Sequence, residues 1–302
     1  MLLPWMPQAI ERIDLREYNV IVSSSHAIAK GIVPPSTAVH VCYCHTPMRY
    51  AWEMEGQYLE DYRVPRLLRP TVRKQLKQLR RWDLTTAKRV DVFVANSTTT
   101  QERIERTYAR DSIVLPPPVS DELLSTPLPQ APERSFFFAV GRLVPYKRFD
   151  LLIEAANMLK LPLKIAGSGQ DTARLKKLAG PTVEILGFVP EKNLRTLYMN
   201  AKALLFPQLE DAGVVPLEAL ACGTPVVALG QGGVCDTLKE GETGVLFQEQ
   251  TIENLQGALL RFDRLQFDAQ KLRKHAQQFS GTQFRGRMAS IVDEACHVLR
   301  SS

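Results

Sequence analysis

Three cationic side chains follow a short apolar run in the second half of the chain. The run Phe136–Val140 leads into Gly141, and a helical stretch begins soon afterwards. Between them stand Arg142, Lys147 and Arg148. A strand end, a helix N-terminus and fixed Lys or Arg side chains together form an anion site, so we predict that this loop binds a diphosphate. The alternative is that the three cations are solvated loop residues.

Two glutamates flank a glycine-containing turn further along the chain. Glu210 precedes the turn, and we place Glu218 in the first turn of a helix that begins near Pro216. The amides of residues 213–215 would then lack intrahelical acceptors. Carboxylates on both sides of free amides suit a ligand with hydroxyls at both ends and a diphosphate between them, as in a nucleotide sugar. For Glu218 the alternative is simple complementarity to the helix dipole.

Two further patterns bear on the class of chemistry. Gly167-Ser168-Gly169 resembles part of a dinucleotide fingerprint, but Thr172 stands where the third glycine belongs, and the motif follows the second strand of its domain. We therefore disfavour an NAD-dependent oxidoreductase. No Asp-x-Asp sequence occurs, so we expect no metal ion, and the cations of the loop after residue 140 would take its place.

Short apolar runs alternate with helix-length amphipathic stretches along the chain, which predicts an α/β fold with parallel, doubly wound sheets whose ligands bind at the carboxyl ends of the strands. In the second half the predicted strands are Phe136–Val140, Leu163–Ala166, Val183–Leu186, Ala203–Phe206, Pro225–Leu229 and Val245–Phe247. In the first half they are Val20–Ser24, Val39–Cys44, Val92–Ala95 and Ile113–Leu115.

Glycine and proline divide the 302 residues into two domains. Residues 1–130 contain only Gly31 and Gly56 of the 17 glycines, and a proline-rich stretch over 116–134 is typical of a linker. We predict an N-terminal domain over 1–133, a nucleotide-sugar-binding domain over 134–280, and a final helix over 281–302 that crosses back to the first domain.

The net charge of +6 is concentrated in one segment. Between Arg63 and Arg89 a single acid, Asp83, stands among ten basic residues: Arg63, Arg66, Arg69, Arg73, Lys74, Lys77, Arg80, Arg81, Lys88 and Arg89. Because Val72, Leu76 and Leu79 recur at helical spacing, we predict a basic amphipathic helix. It is either a solvated face or a surface for anionic membrane lipid. Nucleic acid is disfavoured, because no aromatic residues interleave with the charge.

Membrane and secretory classes are also disfavoured by the sequence. No run of about 18 apolar residues occurs, and the first ten residues lack the features of a signal peptide. Five cysteines without a Cys-x-x-Cys pair imply neither a disulfide framework nor a structural metal. We therefore expect a cytoplasmic protein.

Several motifs in order along the chain resemble one family. The spacing Glu210-x7-Glu218, with Gly141-Arg142 and Lys147 upstream, is similar to the retaining GT-B glycosyltransferases of family GT4. The segments Cys44–Trp52 and Pro145–Asp150 resemble the bacterial mannosyltransferases of O-antigen and exopolysaccharide assembly. This resemblance implies two Rossmann-like domains that face a cleft, with the donor held mainly by the C-terminal one.

The resemblance also implies roles for individual residues. Arg142 and Lys147 would hold the donor diphosphate, Glu218 the ribose hydroxyls, and Glu210 the transferred sugar. His45 matches an active-site histidine near the sugar and the acceptor. The remaining positions that it assigns to donor binding are Gly141, Val189, Gly213, Val214 and Val215.

The implied activity is transfer of mannose from GDP-mannose to a saccharide, in particular a lipid-linked one, with retention of configuration at the cytosolic face of the inner membrane. Two alternatives share the fold: a sugar-nucleotide epimerase and a non-catalytic nucleotide-sugar-binding remnant. The remnant is considered because family members usually open with a strand and a glycine-rich turn, which are not found before Ile10. An N-terminal domain that is incomplete in this way would expose a sheet edge, so self-association or poor solubility is expected unless the final helix crosses back to shield that edge.

Overall fold

The computed structural model describes residues 5–53, 55–56, 59 and 64–300. Arg63 therefore lies outside the described residues, as do residues 1–4 of the predicted N-terminal segment. The chain divides into two compact units, one formed by residues 1–115 and 286–302 and the other by residues 116–285. Each unit has its own parallel sheet.

The first unit contains a four-stranded sheet, as far as the described residues define it, in the order β1-β2-β3-β4. The strands are β1 Val20–Ser25, β2 Val39–Cys44, β3 Val92–Ala95 and β4 Ser112–Val114. Its helices are α1 Met6–Glu11, α2 Arg49–Trp52, α3 Arg69–Ala87 and α4 Thr98–Tyr108. All pairings are parallel. The residues of β2 are buried throughout, whereas β1 is an edge strand that leaves Val20 and Val22 exposed.

The second unit contains a six-stranded parallel sheet within the described part of the chain, in the order β10-β9-β8-β5-β6-β7. Its strands are β5 Phe136–Val140, β6 Leu163–Ala166, β7 Val183–Gly187, β8 Ala201–Phe206, β9 Val226–Leu229 and β10 Gly244–Phe247. Its helices are α5 Asp121–Ser125, α6 Phe149–Leu159, α7 Thr172–Leu178, α8 Glu191–Asn200, α9 Val214–Ala221, α10 Ile252–Phe262 and α11 Ala269–Gln277. Helix α12, Gly281–Arg300, is the last element of the described residues.

Successive residues of the central strands in this second sheet belong to two different cores. Phe136 and Phe138 lie in a core with α8 and α9, whereas Phe137 and Ala139 lie in one with α6 and α10. Side chains alternate between the faces of a strand, so the sheet is covered on both sides. This is the doubly wound α/β arrangement that the sequence predicts, and the predicted fold class is confirmed.

Two details differ from the expectations. The proline-rich stretch 116–134 is not a free linker, because it contains α5, and its Val119, Leu123 and Leu124 are buried in the core with α8 and α9. The second unit accordingly begins at Pro116. Helix α9 begins at Val214, so Pro216 lies in its first turn as expected, but Glu218 lies in the second turn and not in the first.

Candidate functional site

The loop after β5 brings a lysine and a glutamate together. The Nζ atom of Lys147 lies 2.6 Å from Oε1 of Glu210, which follows β8, and both side chains are largely buried. Gly141, at the turn out of β5, has a φ of +154°, which L side chains rarely adopt. A Cβ atom there would lie 3.3 Å from Nζ of Lys147. The bare glycine thus leaves room for the ammonium group above the strand end.

Arg142 is placed differently from Lys147. Its side chain is exposed, and its Nη2 atom lies 3.5 Å from the hydroxyl of Tyr146. No ion pair of Arg142 is found among the described residues. Its guanidinium is therefore available to an anion from solvent, on the same loop as Lys147.

The backbone that carries Glu210 is fixed by two glycines of the loop after β9. The amide of Gly233 donates to the carbonyl oxygen of Glu210 at 2.9 Å. Gly232 has a φ of +80°, and a Cβ atom there would lie 2.4 Å from that same oxygen. Only glycine allows this approach. The sequence analysis did not use this glycine pair, although two adjacent glycines after a strand were a visible signal.

The start of α9 lies directly after Glu210 in the chain. Gly213 is its N-cap residue, and no side chain caps the helix. Val214 and Val215 are its first two residues, whose N–H groups have no acceptor within the helix. A Cβ atom on Gly213 would meet Cα of Val234 at 3.4 Å, so the turn packs against the loop after β9. The predicted free amides are thus placed next to the Lys147–Glu210 pair along the chain.

Glu218 is held by a residue that the sequence analysis missed. The hydroxyl of Tyr198, on α8, donates to Oε2 of Glu218 at 2.7 Å. Burial raises the pKa of Glu218 above its ordinary 4.5, an effect that the Tyr198 hydrogen bond opposes. Burial likewise raises the pKa of Tyr198 well above its usual value, so the phenol remains the donor. No local sequence pattern links the two residues.

Val189, after β7, is half-buried and packs against the core with α8 and α9. It lines a shallow groove together with Leu186, Pro190 and Asn193. The neighbouring ring of Phe188 is 81% exposed at the same groove. An exposed aromatic ring beside an apolar groove is suited to stacking with a flat base. The sequence analysis named Val189 but did not single out Phe188.

His45 belongs to the first unit, where it directly follows β2. Its Nε2 atom lies 2.8 Å from Oγ of Ser24, and its ring meets the ring of Tyr43 edge-on at 5.2 Å. Its carbonyl oxygen accepts from the Thr100 hydroxyl. Burial lowers the pKa of His45, and the charge of His26 lowers it further. The imidazole is therefore neutral near pH 7 and carries one N–H.

Helix α3 carries most of the predicted basic segment. Val72, Leu76 and Leu79 are buried as expected. Arg73 and Arg80 both contact Glu55. Five basic residues remain exposed with no ion pair among the described residues; this set, called the basic surface below, comprises Arg66, Lys74, Lys77, Arg81 and Lys88.

Asp83, the one acid between Arg63 and Arg89, is not part of the basic surface. It is fully buried, and its Oδ1 lies 2.7 Å from Nζ of Lys30, which is also buried. Its Oδ2 accepts hydrogen bonds from Nε1 of Trp52 and from the hydroxyl of Tyr108. The carboxylate is thus the centre of an internal network.

Next to α3, the side chain of Leu67 is 92% exposed.

No group of three or more His, Cys, Asp or Glu side chains in the described part of the chain is arranged to hold a metal ion. No helix there has the length and apolar character that a membrane span requires.

The sequence is similar to a protein family and to several known proteins. The family model described as "Glycosyl transferases group 1" matches residues 121–279. An uncharacterised glycosyltransferase of Bacillus subtilis, YqgM, is 26% identical over 199 residues, which is 62% of this chain and 55% of that protein. A D-inositol 3-phosphate glycosyltransferase of Gordonia bronchialis is 31% identical over 225 residues, 63% of this chain and 49% of that protein. The chain thus spans about half the length of these relatives.

Solved structures show the same fold. Sucrose-phosphate synthase of Thermosynechococcus elongatus superposes with a TM-score of 0.76 at 18% identity, covering 100% of this chain and 80% of that one. The HepE protein of Anabaena in complex with UDP-glucose gives a TM-score of 0.69 at 18% identity, with 97% and 82% covered. These similarities establish two α/β domains of the GT-B type.

Proposed function

Because the chain belongs to the glycosyl transferases group 1 family, we propose that it transfers mannose from GDP-mannose to a saccharide acceptor with retention of configuration. The acceptor that we propose is lipid-linked, as in bacterial surface-polysaccharide synthesis. The coarser activity, glycosyl transfer, follows from the family. Sugar, base and acceptor are proposed from the resemblance of Cys44–Trp52 and Pro145–Asp150 to bacterial mannosyltransferases.

The observation that carries the proposal is the Lys147–Glu210 pair beside the first turn of α9. The ammonium group of Lys147, which contacts Glu210 in the absence of donor, would bind the donor diphosphate. The exposed guanidinium of Arg142 would bind the same diphosphate. The amides of Val214 and Val215 would donate to the same phosphates. These groups would stabilise the negative charge that develops on the departing nucleoside diphosphate. Electrostatic stabilisation by such preorganised groups is usually the largest contribution to catalysis.

The two glutamates would then bind opposite ends of the donor. Glu210 would accept from hydroxyls of the transferred sugar, and Glu218, held by Tyr198, from the ribose hydroxyls. Phe188 and Val189 would contact the base. We expect no metal ion and no further cofactor, because cations of the chain itself neutralise the diphosphate. His45 would contact the sugar or the acceptor.

One experiment distinguishes GDP-mannose from other donors, and sugar transfer from the alternative reactions. HepE, a structural neighbour, was crystallised with UDP-glucose, which supports a nucleotide sugar as donor without fixing its base. The protein is incubated with radiolabelled GDP-mannose, UDP-glucose or UDP-GlcNAc, with and without a bacterial lipid extract. We expect label from GDP-mannose in the lipid fraction only when extract is present. Free nucleotide without an acceptor would indicate an epimerase, and donor binding without transfer would indicate the non-catalytic alternative.

We also propose that the protein binds the anionic cytosolic face of the inner membrane through the basic surface. The exposed basic residues on and beside α3 attract acidic lipid headgroups. Leu67, two residues before that helix, offers an exposed apolar side chain next to them. A lipid-linked acceptor would be met at the same membrane.

A further inference from the structure

Two serine–histidine pairs occur on the first two strands of the four-stranded sheet. Oγ of Ser23 lies 2.8 Å from Nε2 of His40, and Oγ of Ser24 lies 2.8 Å from Nε2 of His45. Ser23 and Ser24 are adjacent in β1, so their side chains point to opposite sides of the strand. The Ser23–His40 pair is buried, whereas Ser24 is exposed. The first unit thus contains one serine–histidine pair in its interior and a second one at its surface.

The inner pair has a fixed tautomer. Nδ1 of His40 lies 3.1 Å from the carbonyl oxygen of Arg89, which can only accept a hydrogen bond. Nδ1 therefore carries the proton, and Nε2 accepts from the hydroxyl of Ser23. Both ring nitrogens have partners within the protein, which is the normal state of a buried polar group. The inner pair is fully satisfied and has no contact left to offer a ligand.

The outer pair is satisfied on one side only. The backbone of His45 is fixed, because its amide donates to the Ser25 carbonyl at 2.8 Å and its carbonyl accepts from Thr100. Nε2 meets Ser24, and Nδ1 contacts no donor or acceptor among the described residues. Nδ1 is not one of the buried polar atoms that lack a partner in the described part of the chain, so this nitrogen is open to solvent or to a ligand.

From this difference we infer that Ser24 is a positioning residue, which accepts a hydrogen bond from Nε2–H of His45 and so leaves Nδ1 as a bare acceptor for a substrate hydroxyl. His45 and His40 then hold opposite tautomers although each meets a serine. A neutral acceptor nitrogen suits the hydroxyl of a sugar or of an acceptor saccharide. This inference rests on the proposed function for the identity of the hydroxyl, but the tautomer itself does not depend on any activity.

The tautomer is measured first, on the protein without substrate. Long-range ¹H–¹⁵N correlation spectra of the full chain separate Nδ1–H from Nε2–H imidazoles, and loss of signals in His45→Gln and His40→Gln assigns them. We expect Nε2–H for His45 and Nδ1–H for His40. In Ser24→Ala the His45 signals should shift towards a mixture of tautomers, and Ser24→Thr should restore the original pattern. A His45 ring that carries its proton on Nδ1, or that does not respond to Ser24→Ala, would overturn the inference.

Transfer kinetics then test the functional part. We expect Ser24→Ala to lower kcat/KM about tenfold through loss of one oriented hydrogen bond, and Ser24→Thr to stay within about twofold of the unaltered protein. The matched control is Ser23→Ala, which breaks the inner pair and should lower the melting temperature while leaving the His45 tautomer unchanged. If Ser24→Ala alters the tautomer but not kcat/KM, Nδ1 does not meet the substrate. If the unaltered protein transfers no sugar, the proposed function fails, while the tautomer result still stands.

Discussion

The ammonium nitrogen of Lys147 lies 2.6 Å from a carboxylate oxygen of Glu210, although the two residues follow different strands of the second sheet. The parallel order of that sheet makes this possible, because β5 and β8 are neighbours and their carboxyl ends share one edge. A lysine that is already held by a carboxylate keeps its place before the donor arrives. In the proposed function, the pair would be a preformed binding site for the diphosphate.

The first prediction concerns the basic surface. Replacing Lys74, Lys77 and Arg81 by Gln should weaken sedimentation with anionic liposomes, because each exposed basic side chain contributes about 1 kcal/mol near such a surface. The expected loss of affinity is about hundredfold at low ionic strength. Arg73 and Arg80 are left unchanged because they contact Glu55.

The matched control for the liposome experiment removes the same charge from the second unit. Lys176, Lys177 and Lys192 are exposed there, and their replacement by Gln should leave sedimentation unchanged. Equal effects of the two triple variants would mean that net charge alone attracts the protein. No effect of either would identify the basic surface as a solvated face.

The second prediction concerns the backbone that carries Glu210. Gly232→Ala should lower the free energy of unfolding by about 2 kcal/mol or more, since it combines a positive φ with a Cβ atom 2.4 Å from the Glu210 carbonyl. Gly241 also has a positive φ, but a Cβ atom there meets nothing within 4 Å. Gly241→Ala should therefore cost only about 1 kcal/mol. Chemical denaturation compares the two variants, and equal costs would contradict this account of the loop.

The third prediction concerns the buried pair in the first unit. Lys30→Met leaves the carboxylate of Asp83 without its cation and should lower the free energy of unfolding by about 3–5 kcal/mol. Lys30→Met combined with Asp83→Leu should recover a large part of this loss. Lys202→Met, which breaks an exposed pair with Asp263, should cost less than about 1 kcal/mol. A loss for Lys30→Met as small as that of Lys202→Met would show that the buried pair does not stabilise the unit.

The fourth prediction uses the raised pKa of Glu218. Between its ordinary 4.5 and the higher pKa of the folded state, the folded protein binds more protons than the unfolded one. Glu218 therefore makes the free energy of unfolding fall as pH rises through this window, and its full contribution is present only below it. In Glu218→Gln this part of the slope should disappear, as measured by urea unfolding at a series of pH values. An unchanged slope would show that burial of Glu218 has no such effect.

The elements of both sheets could be predicted because each strand is a short apolar run between turn residues. Phe136–Val140, Val39–Cys44 and Val92–Ala95 are observed with the predicted bounds. The proline-rich stretch was misinterpreted because prolines were given more weight than Val119, Leu123 and Leu124, which are buried in the core of the second unit. Apolar residues at helical spacing were the better signal.

Long-range polar pairs could not be predicted in the same way. Tyr198 and Glu218 meet because α8 and α9 lie on one face of the sheet, and no local period encodes that contact. Lys30 and Asp83 are likewise far apart in sequence, and no local pattern indicates that they form a buried pair. A charged residue is usually exposed, but when it is buried it forms an internal ion pair. Burial depends on the tertiary packing, which the local sequence does not encode. Family motifs named Lys147 and Glu210 separately, but only the sheet order showed that they meet.

The central claim, that Lys147 neutralises the leaving diphosphate, is tested most directly by measuring mannose transfer from GDP-mannose by Lys147→Ala. The matched control is Lys202→Ala, whose ion pair with Asp263 lies near the opposite end of β8. We predict that Lys147→Ala lowers kcat by 10²- to 10³-fold without unfolding the chain, while Lys202→Ala retains full activity. Transfer by Lys147→Ala within a few-fold of the unaltered protein would contradict the assignment.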